Sequence, residues 1–314
     1  MLADRVDRLQ QRHGVLAFPY AVARKYADDG GGRHAALIVY YGFLSIFPIL
    51  LLGVAIVSRL FVQRPELRHR LVEAIVPPSL QDTVDRAVAT LPASGVALAV
   101  GLLGLLLSGT GVVSSAYQTL NHVAAVPYRL RAGFFSRWLR FLVVLVVVLS
   151  GALTVGALTV VVTVVPAFSA VPRVAVATGS YSIAFTVLLL AGRLLLDRPA
   201  PLKGLWPAAA VGAVAVTLML QLGAIVLPEL VRRAGPIYGS FATVAGLFSL
   251  LYAVSLALVY AAEMAVVRRA RLWPRAVDRG SPTPADLRAL ELLAREQERL
   301  PGERIALRRV PPPA

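Results

Sequence analysis

The chain has 314 residues, 57% of them hydrophobic and only 16% charged, with a formal net charge of +15 and no cysteine. A soluble domain carries about a quarter charged residues, so this composition excludes an ordinary water-soluble fold and points to an integral membrane protein. Without thiols there is no disulfide framework and no thiolate metal site. The basic excess lies in short segments between apolar runs, where it suits anionic lipid head groups rather than nucleic acid.

Residues 1–34 form a basic N-terminal segment, expected on the cytoplasmic side. Phe18, Val22 and Tyr26 recur at i, i+4 and i+8, which predicts a short helix lying on the membrane surface as an anchor before the Gly30-Gly31-Gly32 break. The first span follows, about residues 35–62. It runs 24 residues from Ala35 to Ser58 without a charge, enough helix to cross a hydrocarbon core of ~30 Å. Tyr41, Ser45 and Pro48 share one face of it near mid-depth. Pro48 has no N–H for the Leu44 carbonyl, and the Ser45 hydroxyl can turn back onto the Tyr41 carbonyl. That pattern reads either as a packing kink or as a hinge beside a cavity.

Residues 63–93 carry Leu67, Leu71 and Ile75, then Pro77-Pro78, then Leu80, Val84, Val88 and Leu91. The spacing predicts two amphipathic surface helices, too charged to cross. The second span covers about 94–113. Gly101, Gly104, Ser108, Gly111 and Ser115 form a small-residue stripe there that admits close approach of a neighbour. Beyond it the chain turns polar, with Ser114, Tyr117, Gln118 and Asn121, and then basic, with Arg129, Arg131, Arg137 and Arg140. Four further spans are expected at about 141–165, 174–196, 205–227 and 241–267, with a turn at Pro166–Pro172 between the third and fourth. Residues 268–314 form a hydrophilic tail. In it Thr283-Pro284 with Asp286 marks a helix start, Leu287, Leu290 and Leu293 supply its apolar face, and Pro311-Pro312-Pro313 ends in a disordered stretch.

The sequence thus predicts an all-α, six-span bundle with short amphipathic surface helices. With the amino terminus inside, the inner segments up to Arg279 hold 18 basic residues against eight in the outer ones, so both termini are expected in the cytoplasm. That topology brings Tyr40 and Tyr41, the polar exit of span two, and Glu263 to one depth. Glu263 is the acidic residue placed within a span, and an intramembrane carboxylate is a functional hypothesis by default. The opposing reading is an interfacial glutamate paired with Arg268 or a tyrosine. Tyr40 and Tyr41 alone would be an aromatic belt, and Asn121 alone a helix cap. A tyrosine of span one or a polar side chain of span two is expected beside Glu263.

Enzyme chemistry has little to stand on. His13, His34, His69 and His122 fall in separate segments without metal-ligand spacing, and no phosphate loop, HExxH or nucleophile elbow occurs. No catalytic residue, metal or cofactor is assigned, and the chain is expected not to be an enzyme.

The stretch Val39-Tyr40-Tyr41-Gly42-Phe43-Leu44-Ser45-Ile46-Phe47-Pro48 resembles the first-span signature, roughly A-Y-Y-x-x-x-S-x-F-P, of the YihY/BrkB membrane proteins, once mislabelled ribonuclease BN. The resemblance continues in Tyr117 to Asn121, in Pro236-Ile237-Tyr238-Gly239-Ser240 and in Tyr260-Ala261-Ala262-Glu263, and spans about residues 10–270. It implies a multi-pass protein of the bacterial inner membrane with six spans. Two functions are expected. One is a transporter or flippase-like protein for an amphipathic or lipid-linked anionic substrate, with Tyr41, Ser45, Asn121 and Glu263 around a cavity between spans one, two and six. The other is a non-transporting scaffold that recruits envelope partners through its tail, so that deleting residues 274–314 would separate the two.

Overall fold

A computed structural model of the chain describes residues 14–61, 95–164, 173–198, 201–277, 280 and 282–306. The expected surface helices of 63–93, the Pro166–Pro172 turn and the Pro311–Pro313 tail lie outside these residues. Among the described residues the fold is all-helical, with α1 Gly14–Asp28, α2 Gly31–Phe61, α3 Gly95–Val123, α4 Phe134–Val164, α5 Arg173–Leu195, α6 Leu202–Tyr238, α7 Ser240–Ala270 and α8 Pro284–Glu296. Six of these, α2 to α7, are long and apolar enough to cross a membrane. Each spanning helix packs on the next, and α7 returns to pack on α2, so the six close into a ring.

Small residues set the distances between helices. A Cβ built on Gly101 would meet Leu52, one on Gly104 would meet Pro48, and one on Gly111 would fall 2.3 Å from the Tyr41 ring. The numbers fall along α3 as they rise along α2, so the pair is antiparallel, and the stripe read from the sequence is the seat for α2. In the same manner Gly151 receives Val187, and Gly223 receives Leu250. Without a hydrophobic drive between helices in lipid, such close van der Waals contact is what holds them together. Ser45 Oγ donates to the Tyr41 carbonyl at 2.8 Å, as its spacing before Pro48 suggested.

Helix ends differ from expectation where polar groups find partners. The second spanning helix runs on to Val123, about ten residues past the apolar run, because its polar side chains bond back along it: Ser115 to Gly111 O, Thr119 to Ser115 O and Asn121 to Tyr117 O. The third starts at Phe134, several residues before Phe141, and takes Arg137 and Arg140 into its first turns. Arg140 is neutralised there by Asp197 at 2.8 Å.

The two amphipathic elements cap the end of the ring that carries both termini. α1 is helical as expected, but its apolar face rests on protein rather than on lipid. Ala21 and Val22 pack with Val267, Leu272 and Ala289, Phe18 meets Trp273 edge-on at 5.3 Å, and Tyr26 stacks on Tyr260 at 4.3 Å. The tail helix α8 begins in a capping box, with Asp286 N bonded to Thr283 Oγ1 and Thr283 N to Asp286 Oδ2. Its buried face runs through Ala285, Asp286, Ala289 and Glu296, whereas Leu290 is half exposed. The leucine face expected from the sequence is thus displaced, because the ionic contacts of Asp286 and Glu296 set the rotation of the helix.

Asp286 ties α8 to the segment after α7. Burial works against its charge, but the amides of Ala276 and Thr283, the Thr283 hydroxyl and the Arg275 guanidinium outweigh burial and hold its carboxyl below the usual carboxylate range. A depressed carboxylate contributes stability that is complete above its unfolded value of about 4 and is lost as pH falls through the lower folded value. Protection of residues 284–296 against hydrogen exchange, relative to the unstructured rate at the same pH, is therefore expected to be high at neutral pH and to fall below about pH 4, with Asp286→Asn already weakly protected at neutral pH. A tail equally protected at both pH values would contradict this anchor.

Gly111 gives a second expectation. Gly111→Ala drives a methyl into the Tyr41 ring and costs about 1–3 kcal/mol of overpacking. Gly42→Ala meets nothing within 4 Å and is expected to be neutral or stabilising. Thermal melting in detergent that ranks the two the other way would overturn the α2–α3 packing.

Candidate functional site

Two polar regions lie at the terminal end of the ring, one open and one sealed. The open one is a groove of about 640 Å³. Its floor is α3, with Leu107, Thr110, Gly111, Ser114, Tyr117 and Gln118. Tyr41 of α2 forms one wall, Arg137, Trp138 and Phe141 of α4 the other, and Tyr128, Arg131 and Ala132 of the connecting loop close the end. Leu107 is 73% and Trp138 40% exposed, so the groove opens at the surface of the bundle.

Its two arginines are not equivalent. Arg131 gives Nη2 to Glu296 Oε1 at 2.6 Å, turns Nε and Nη2 to the Val126 carbonyl at 3.3 Å, and lies over the Tyr128 ring at 3.9 Å. Arg137 has its guanidinium 5.9 Å from the centre of the Tyr117 ring, and among the described residues no carboxylate pairs with it. Among the described residues, none of the lining side chains is acidic. The groove therefore has one uncommitted positive charge beside aromatic walls, with the Ser114 hydroxyl and Gln118 amide across the floor.

The sealed region is a set of buried charges where α1, α2, α3, α7 and α8 meet. Glu263 and Asn121 are fully buried. Lys25 Nζ pairs with Asp29, lies 3.0 Å from Glu263 Oε2 and donates to the Val123 carbonyl at 3.1 Å. Neither Glu263 oxygen takes a well-directed hydrogen bond; the charge of Lys25 is what compensates it. His122 faces Glu296 Oε2 through Nδ1 at 2.7 Å and the Asp29 carbonyl through Nε2 at 3.2 Å; both oxygens are acceptors, so an imidazole carrying two protons donates to each. The His34 ring stands 5.0 Å from that of His122, and Arg275 joins Asp28 to Asp286. Burial, with Tyr252, Tyr260 and Glu263 nearby, pushes the Tyr26 phenol above its usual value, so it meets the cluster as a neutral group.

The residues singled out from the sequence are divided between these regions. Tyr41, Ser114, Tyr117 and Gln118 line the groove. Tyr40 is 55% exposed and meets Tyr41 edge-on at 5.1 Å, outside it. Ser45 and Pro48 are packing elements of α2 against α3. Asn121 is a connector: its amide donates to Leu195 O, the last carbonyl of α5, at 2.8 Å, and its oxygen accepts Asp197 N at 3.1 Å. It thus caps a neighbouring helix rather than its own. The hydroxyl of Tyr117 bonds Asp197 behind the groove.

A single cavity containing Tyr41, Ser45, Asn121 and Glu263 is therefore not what forms. Lys25 fills the space between the ends of α3 and α7, and the groove lies on the other side of α3, facing α4. Nor is the partner of Glu263 a tyrosine of span one or a polar side chain of span two; it is Lys25 of α1. The signal for Lys25 was present in the sequence, since Phe18, Val22, Lys25 and Asp29 fall at i, i+4, i+7 and i+11 and so on one face of α1. Arg137, Asp197 and Glu296 had no such local signature.

Removing one partner of a buried ion pair leaves the other uncompensated, at about 3–5 kcal/mol. Lys25→Met strands both Asp29 and Glu263 and is expected to be the most destabilising change in the cluster. Glu263→Gln keeps the Lys25–Asp29 pair and should cost much less. Melting midpoints in detergent that place Lys25→Met near the unaltered protein would refute this assignment.

The family described as Virulence factor BrkB matches residues 22–285, which include all six spans. An uncharacterised protein of Dickeya dadantii (strain 3937), Dda3937_02003, is 34% identical over 88 residues, 27% of this chain and 26% of that protein. The chain thus aligns with about a quarter of that relative's length. No solved structure matches. With the family pattern running from α1 into the tail helix, through the ring and both polar regions, the chain belongs to the BrkB family of membrane proteins.

Proposed function

We propose that the protein takes an amphipathic anion into the groove from the adjoining leaflet and moves it across the bilayer, as a transporter or flippase-like protein of the bacterial inner membrane with both termini in the cytoplasm. The observation that carries this reading is Arg137, an arginine in a groove open at the surface of the bundle, without a carboxylate partner among the described residues. A guanidinium held at the head-group level attracts phosphate or carboxylate through charge-assisted bonds. The aromatic walls, Tyr41, Trp138 and Phe141, suit the apolar part of such a ligand. Orientation rests on the 18-to-eight distribution of basic residues.

Enzymatic activity is not part of this proposal. Asp29, Glu263, Glu296 and Asp286 are each committed to a cation, which suits structure better than acid–base work. A scaffold acting through its tail has less to recommend it, since residues 284–298 are folded onto the ring through Glu296 and through Glu298, which pairs with Arg129 at 3.0 Å. Deleting the tail would strip Arg131 and His122 of their partner, so loss of function after that deletion no longer distinguishes a scaffold from a transporter.

Transbilayer movement of a fluorescent anionic phospholipid in proteoliposomes tests the proposal. The intact protein is expected to accelerate it, and Arg137→Gln to lower the rate about tenfold, the loss of one charge-assisted contact. Movement no faster than in empty vesicles, with and without an ion gradient, would sink the transport reading.

A further inference from the structure

The groove's charge balance narrows the ligand beyond an amphipathic anion, and this step rests on the reading of the groove as that ligand's site. We infer that the ligand is a phospholipid of the adjoining leaflet whose head group carries one net negative charge on a phosphodiester, held by Arg137, and not a lipid with a doubly charged or diphosphate head.

Of the two cations that line the groove, Arg131 is already neutralised by Glu296, which is itself 1% exposed, and its Nε and Nη2 also face the Val126 carbonyl. That leaves Arg137 as the one guanidinium of the lining without an acidic partner, and no lining residue is acidic, among the described residues. One negative charge balances it. A second would be desolvated beside aromatic walls with nothing opposite, which is strongly unfavourable at low dielectric. A zwitterionic head would place its own cation next to Arg137 and forfeit the balance.

The remaining lining fits hydroxyls rather than further charge. Ser114 and Gln118 touch each other only through a long contact of 3.4 Å, so both can turn to a hydroxylated head group. Taking about 30 Å³ for a water-sized group, 640 Å³ holds on the order of twenty such groups. That is room for a head group and the first methylenes, with the acyl chains left in the bilayer past Leu107, which is 73% exposed.

Native mass spectrometry of the full chain in detergent tests this, with dioleoylphosphatidylglycerol, dioleoylphosphatidylcholine and a polyprenyl diphosphate at equal mole fraction. Phosphatidylglycerol should be retained about tenfold better than either competitor, and Arg137→Gln should erase that preference. Ala132→Arg, which adds to the lining a second cation without an acidic partner, should shift retention toward the diphosphate even if Arg137→Gln proves too unstable to purify. Glycerophosphoglycerol, the same head group without chains, should fail to compete; effective competition would make this a site for a soluble phosphodiester and overturn the lipid assignment. Preference for the diphosphate by the unaltered protein, or equal retention of phosphatidylcholine, would overturn the single-charge assignment while leaving an amphipathic ligand in place. Retention of none of the three would instead remove the reading on which it rests.

Discussion

The ammonium of Lys25, buried among Asp29, Glu263 and the Val123 carbonyl, is the contact on which the terminal end of the molecule depends. It joins three helices that are distant in sequence. A carboxylate at the depth of Glu263 is costly in a bilayer unless a cation or several donors compensate it. A lysine on a separate helix that folds under the ring is one physical solution. It has a further consequence, because Asp29 is fixed by the same ammonium and its carbonyl then positions His122, which reaches Glu296 and the tail. One buried charge thereby draws α1 and α8 against α3 and α7. The apolar contacts of Phe18, Val22 and Ala289 add burial to an arrangement whose register is ionic.

The groove is shaped by the other consequence of this network. Glu296 holds His122 with one oxygen and Arg131 with the other. The charge of Arg131 is used within the fold, and Arg137 is left as the available cation. The tail is therefore a component of the groove's electrostatics, although none of its described residues lines the groove. Across the floor, Gly111 brings the Tyr41 ring against α3, so the same small residue that allows two helices to approach also sets the position of a wall.

Much of the architecture was legible in the sequence because it follows from local rules. Twenty or so apolar residues must cross as helix, and the spacing of Gly101, Gly104 and Gly111 must make a seat for a neighbour. The bond from Ser45 to Tyr41 O and the capping box at Thr283 are set within four residues, so they too could be read in advance. Helix ends were less legible. The apolar run of α3 stops near Val113, yet the helix continues to Val123 because its polar side chains find partners in the turn before and in Leu195 and Asp197.

What the sequence by itself determined was the class of protein, the six spans and the set of polar residues gathered at one end, all of which depend on hydropathy and on spacing along a helix. Only the tertiary structure decided which of those residues meet. Asn121 went to the end of α5, Glu263 to Lys25, and Tyr41 to a groove shared with Arg137. The reason is that the partner of a buried charge is chosen by the packing of whole helices, through the rotation of α1, α3 and α7 about their axes. Two residues more than two hundred positions apart leave no mark of that choice in the pattern around either one.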